Sequence, residues 1–311
     1  MYRGGDSTVL VIGSAGIDVK GKPLREPLPG TSNPGHIRLS VGGGARNIAE
    51  NLARLGVNTI LLAAVGGDSY GHLVLERSAL GGVDVSHVLV DDKSPSAFYL
   101  AVLNVDGSLS LSIDDMRIIS RLDRDFLYSK RSLFRKAQMV AVDANLSSSA
   151  LSAVFHLSRQ YGVPVCANPV SVALAAKLKR RLKDCAVITP NCAEAQILTG
   201  MSINSVAEAT EAAHRLVAAG VGLAIIAMGA DGVVFATSTD SGHVPAAAVD
   251  VVDSTGAGDS LTATVVYGLI NGFPVDEAVR LGVSAAALTL TSPETVSPDL
   301  NLESLYQAIL I

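Results

Sequence analysis

Unbroken apolar runs, each followed by a helical pattern that stops at a glycine, constrain the fold of this chain more than any other feature. Val9–Ile12, Thr59–Val65, Met139–Val142, Val163–Cys166, Ala186–Ile188 and Leu223–Met228 read as strands. The helix patterns Ala45–Leu55, His72–Leu80, Ala150–Tyr161 and Val206–Ala219 stop at Gly56, Gly81, Gly162 and Gly220, where a glycine is the expected terminator. Strands separated by helices of this length make βαβ units and a parallel sheet. Because the strands do not alternate apolar with polar, both faces of that sheet must be covered. A chain of 311 residues that is 49% hydrophobic has the apolar surface to cover them.

Two stretches break the rhythm. Residues 14–40 are polar and rich in glycine and proline, and residues 96–114 read as two strands joined at Asp106-Gly107, a strong hairpin signal. Together they suit a small antiparallel sheet outside the main layer.

Several function classes are excluded. Net charge is −5, and the Lys and Arg residues are spread along the chain, so the basic stripe of a nucleic-acid binder is absent. No GxxxxGK[ST] loop, GxGxxG loop or HExxH helix occurs. The start, MYRGGDSTVLVIG, lacks a signal-peptide pattern, and no apolar stretch reaches the roughly 18 residues of a membrane span. Three cysteines, Cys166, Cys185 and Cys192, form no CxxC pair and read as reduced thiols. A soluble, cytoplasmic protein is expected.

The chemistry concentrates in three places. In VVDSTGAGDSL, Ala246–Val252 reads as a strand and Leu261–Ile270 as a helix, with Asp253–Asp259 as the connecting loop. Backbone N–H groups of a glycine-rich turn at a helix N-terminus converge on an anion, and the small residues Gly256, Ala257 and Gly258 let a ligand oxygen approach. Asp259 then stands where it can accept a proton from a hydroxyl attacking that anion; as plain helix caps, either aspartate fits equally well. The second place is Gly42, Gly43 and Gly44, followed by Ala45, Arg46 and Asn47, which opens a helix. The third is NCAE, where Asn191 and Glu194 share one face of a nascent helix. An amide and a carboxylate so placed suit hydrated Mg²⁺, and they suit an N-cap with an acidic first turn as well.

DSTGAGD, GGGARN and NCAE occur in the order and spacing of the three signatures of the ribokinase-like (PfkB) carbohydrate and nucleoside kinases. The chain resembles that family over essentially its whole length. The resemblance implies an α/β fold, a ribokinase-like three-layer sandwich with a mostly parallel central sheet, as a single domain over residues 1–311. It also implies a small β-sheet lid formed by segments at approximately 14–40 and 96–118. The implied activity is transfer of a phosphoryl group from ATP, with Mg²⁺, to a sugar hydroxyl. Asp259 would be the base, and Gly256, Ala257 and Gly258 the anion hole beside Thr255. Asn191 and Glu194 would organise Mg²⁺ and its waters, and Asp253 would adjoin a monovalent cation, K⁺. Asp18, with Gly42, Gly43 and Asn47, would hold the sugar. Gly229 and Gly232 match a nucleotide-side turn, and a plain hairpin explains them equally well.

Within the family, IDVKGKP, PGTSNPGHIRLSVGGGARNIAENLARLG, AVLNVDGSLSLSIDDM and TVSPDLN resemble the pseudouridine kinase branch. Lys20, Thr31, Ser32 and Asn33 offer more polar groups than a bare pentose needs, and a uracil-like base would meet them. As a polar lid loop, residues 20–35 would look the same. Gly16 departs from the family, many of whose members carry Asn there. The expected reaction is phosphorylation of the 5′-hydroxyl of pseudouridine. The alternatives are a kinase of ribose, adenosine or another nucleoside, and a non-catalytic binding protein. A homodimer through the lid is expected.

Overall fold

The structure is a computed structural model describing residues 8–309. In its first half the strands are β1 (Thr8–Ile12), β2 (Gly16–Pro23), β3 (Gly35–Gly42), β4 (Asn58–Leu62), β5 (Ala64–Gly66) and β6 (Leu89–Asp91). Then come β7 (Ala97–Leu103), β8 (Leu109–Asp115), β9 (Met139–Asp143) and β10 (Val165–Asn168). The last four are β11 (Val187–Ile188), β12 (Leu223–Ala227), β13 (Val233–Ala236) and β14 (Ser241–Val244).

The central sheet has the order β14-β13-β12-β11-β10-β9-β1-β4, parallel from β4 to β12 and closed by the antiparallel pair β13 and β14. Its strands are buried on both sides, as the unbroken apolar runs require. On one face Leu10, Val140 and Ile226 meet the helices Ser148–Tyr161 and Val206–Ala218. On the other, Val9, Val11 and Ile225 meet the helices Gly44–Arg54, Ala257–Ile270 and Val275–Leu290. Gly56 and Gly162, with φ of 81° and 67°, end their helices in the left-handed region. No helix among the described residues is long and apolar enough to cross a membrane.

Three elements differ from the sequence reading. Thr59–Val65 divides into β4 and β5, and β5 leaves the central sheet to pair with β6. Ala246–Val252 is not a strand; it follows Pro245, which has no N–H to donate, and Val251 and Val252 are exposed. The following helix starts at Ala257 rather than Leu261. Its first turn faces a cavity instead of the core, so the apolar periodicity begins one turn late.

The two irregular stretches form a four-stranded sheet, β3-β2-β7-β8, that covers the carboxyl ends of the central strands. The β7–β8 hairpin turns at Gly107, with φ of 90°. Parallel pairing of β2 with β7 sets Gly16 opposite Ala97. A Cβ at Gly16 would lie 2.5 Å from the Ala97 carbonyl oxygen, so this glycine is where the two lid excursions are pressed together.

Candidate active site

Strand order reverses at β1: the chain steps from β1 to β4 on one side, and from β9 through β10, β11 and β12 on the other. Such a switch point leaves a crevice at the carboxyl ends of the strands. Asp143, the last residue of β9, is fully buried there. One of its oxygens accepts from the Ser14 N–H (2.7 Å), the Ser14 hydroxyl (2.6 Å) and the Ala45 N–H (3.2 Å). The other accepts from the Asn145 N–H at 3.0 Å. A single carboxylate thus ties together the ends of β1 and β9 and the start of the helix Gly44–Arg54.

Asp259 sits in the first turn of Ala257–Ile270 and faces this crevice. Gly256, at φ 86°, turns the chain into that helix, and no side chain caps it. The first N–H groups therefore have no intrahelical partner and carry the positive end of the helix dipole. Asn47 donates to one Asp259 oxygen at 2.9 Å and Asn168 to the other at 3.2 Å. Burial pushes the Asp259 carboxyl up to about 7; the Asn47 contact opposes this, and the charges of Asp143 and Asp18 add to it. Behind Asn47, the buried Arg46 pairs with Glu50 and donates to the Asn47 side-chain oxygen Oδ1 at 3.1 Å. That contact leaves the Asn47 amino group directed at Asp259.

Asp18 enters from β2 and is 7% exposed. Burial raises its carboxyl to about 6, against the pull of Lys20 and Arg46. A Cβ on Gly42 would run into the Asp18 carboxylate; Gly42 acts by leaving space for it. Asp18, Gly43 and Asn47 line a cavity of about 510 Å³ together with Thr255, Gly256, Gly258 and Asp259. Asn191 and Glu194 line its other end. Ala257 stands at the helix start between two of these residues.

Asn191 and Glu194 form a reciprocal capping box: the Glu194 N–H donates to the Asn191 side chain at 2.9 Å, and the Asn191 N–H to Glu194 at 3.0 Å. The capping reading holds, and the cap fixes a carboxylate that also lines the cavity. Burial raises the Glu194 carboxyl. The Asn191 side-chain amide also donates to the second Glu194 oxygen at 2.9 Å; a buried carboxylate so oriented, with lone pairs left to accept from metal-bound waters, fits a hydrated Mg²⁺ carried by phosphates.

Asp253 is differently engaged. Lys20 donates to one of its oxygens and to the Thr255 hydroxyl (2.5 Å), while the Thr255 N–H donates to the other oxygen at 2.9 Å. Lys20 therefore does not reach into the cavity as a substrate ligand; its tethered ammonium stands where a monovalent cation was expected. The variant Lys20→Ala is expected to respond more strongly to KCl than the wild type, with initial rates measured at constant ionic strength in choline chloride. Equal responses would separate Lys20 from that role.

Thr31 and Ser32 lie exposed in the β2–β3 loop, and Asn33 folds back onto the Leu28 N–H at 2.8 Å. None of the three lines the cavity. Gly229 and Gly232 form the tight turn between β12 and β13, outside its lining. Conversely, Asn168, Asn145 and Tyr99 line it and carry no motif, and Ser112 and Asp114 line it from within AVLNVDGSLSLSIDDM, where neither was singled out. Asn168 ends β10 and Asn145 lies two residues past the end of β9, positions that strand-end logic alone marks out.

A family model described as pfkB family carbohydrate kinase matches residues 6–301. Pseudouridine kinase of Escherichia coli (strain K12) is 32% identical over 302 residues, covering 97% of this chain and 96% of its own. Guanosine-inosine kinase of Exiguobacterium acetylicum is 31% identical, over 92% of this chain and 95% of its own. The structure of Arabidopsis thaliana ribokinase, complexed with ribose and ATP, superposes with a TM-score of 0.85 at 22% identity over 99% of both chains.

Proposed function

The chain belongs to the pfkB family of carbohydrate kinases, phosphotransferases acting on sugar hydroxyls, and from that premise we propose that it phosphorylates the 5′-hydroxyl of pseudouridine with ATP. The observation that carries the reading is Asp259, held by two amides at the mouth of an uncapped helix on the floor of the cavity. The similarity to pseudouridine kinase along the whole chain supports the choice of substrate.

In this reading Asp259 accepts the proton of the 5′-hydroxyl as its oxygen bonds to the γ-phosphorus and the bond to the ADP oxygen breaks. A base near 7 is matched to that task at neutral pH. The first-turn N–H groups from Gly256 to Gly258 face the transferring oxygens, where each such donor contributes on the order of 3 kcal/mol. Asn47 and Asn168 hold Asp259 in place, Asp18 takes ribose hydroxyls, and the lid excludes water as a competing acceptor. Asn191 and Glu194 would hold a hydrated Mg²⁺, which would neutralise phosphate charge.

The test is ADP release with pseudouridine, uridine, adenosine, ribose and fructose in parallel. Pseudouridine is expected to give the highest kcat/KM. Ribose or adenosine exceeding it would overturn the substrate and leave the family untouched.

We also propose that the outer face of the lid pairs with a second copy. Ile37 is 81% exposed there, with Leu39, Leu100, Leu111 and Ile113 beside it across the same sheet. A nearly uncharged face of this kind matches another like itself across a two-fold axis. Ile37→Lys with Ile113→Lys is expected to halve the mass measured by light scattering; a monomeric wild type would refute the pairing.

A further inference from the structure

Asp114 faces the cavity from β8, the outermost lid strand. The register sets Asp18 opposite Tyr99 and Tyr99 opposite Asp114, so the three side chains form one row across three strands on the cavity side. Neighbouring strands lie about 4.8 Å apart, which separates the two carboxylate positions by about 10 Å with a phenol ring between them. That span suits a nucleoside whose ribose lies at Asp18 and whose base reaches β8.

The two ends of the row differ. Asp18 is buried beside Lys20 and Arg46. Among the described residues no hydrogen bond or ion pair engages the Asp114 carboxylate, although its neighbour Asp115, on the opposite face, is paired with Arg117 at 2.6 Å. An ionised carboxylate only accepts hydrogen bonds, so Asp114 selects for a donor on whatever lies against it and repels a carbonyl.

This bears on one chemical distinction. A uracil linked to ribose through carbon keeps N–H groups on both ring nitrogens. In uridine the glycosidic bond consumes N1 and leaves one. Building on the pseudouridine reading above, we propose that Asp114 is a specificity-determining residue that accepts a hydrogen bond from the N1–H found only in the carbon-linked base. Sites built around a substrate N–H discriminate strongly against analogues lacking it, because the site's polar group is then left unpaired.

The experiment compares kcat/KM for pseudouridine, N1-methylpseudouridine and uridine in the wild type, Asp114→Ala and Asp114→Asn. The wild type is expected to prefer pseudouridine over its N1-methyl analogue by about 30-fold or more, chiefly through KM. Asp114→Ala is expected to bring that ratio within about threefold, and Asp114→Asn, which retains an acceptor, to restore part of it. Thermal melts of the variants, which alter an exposed strand position, check that the lid remains folded. A wild type that turns over pseudouridine and its N1-methyl analogue equally would overturn the proposal. So would an unchanged ratio in Asp114→Ala, and both results would leave the substrate reading standing. A wild type that rejects pseudouridine while phosphorylating another nucleoside would overturn the substrate reading, and this proposal with it.

Discussion

Asp259→Asn is expected to lower kcat by about 10³-fold, within the range usual for removal of a general base, while pseudouridine affinity measured by calorimetry changes less than about threefold. The substitution preserves shape and one amide contact, and removes only the ability to take a proton. A variant retaining more than a tenth of wild-type kcat would remove Asp259 from the base role. The pH dependence follows from the same carboxyl, raised to about 7 by burial first and by Asp143 and Asp18 after it. The base must be ionised, so kcat/KM falls about tenfold per pH unit below about 7. Asp143→Asn removes a charge that raises Asp259, and so moves this acid limb to lower pH. Stability runs the other way. Between about pH 4 and 7 the folded site keeps a proton that the unfolded chain releases, so this group's contribution declines as pH rises through that window. Melting temperatures of wild type and Asp259→Asn are therefore expected to diverge in favour of the variant as pH rises from 4 to 7; parallel curves would contradict a raised Asp259.

Gly256→Ala carries the second large effect, a loss of kcat of at least about 100-fold together with a lower melting temperature. At φ 86° an alanine is strained, by about 1–2 kcal/mol, and its Cβ would fall onto the Thr295 carbonyl oxygen. That carbonyl cannot retreat freely, because the Thr295 hydroxyl is bonded to the Val41 carbonyl at 2.7 Å. The helix start must move instead, and with it the N–H groups that face the phosphoryl oxygens. Gly258→Ala is the matched control for folding, since a Cβ there meets nothing within 4 Å; it is expected to melt as the wild type does. Full activity in Gly256→Ala would show that the first turn does not cradle the phosphoryl group.

The βαβ rhythm and the lid hairpin were legible because they are local: periodicity, glycine stops and Asp106-Gly107 each act within a dozen residues. Asp259, Asp18 and Asn47 were legible through motifs. Asp143, Asn145 and Asn168 were not, because only the strand order brings them to Ser14 and Asp259, 129 and 91 positions away in the chain for Asp143 and Asn168. The polar loop around Thr31 and Asn33 reads like a binding element in sequence, yet its side chains close on themselves at the rim. Gly16 and Gly42 carry no chemistry of their own; what they leave out is what lets the lid strands and Asp18 fit.

The position of β1 between β4 and β9 has a consequence for how the protein is made. When β1 and β4 have left the ribosome they can form only a two-stranded ribbon, marginal by itself, with the far side of β1 open until residues 139–143 are synthesised. Such distant pairings are slow to form and leave an adhesive edge in the meantime. Asn47 waits longer still, for a partner 212 positions downstream. A chain that stops short of Asp259 therefore has the lid and most of the central sheet but lacks the carboxylate that Asn47 holds.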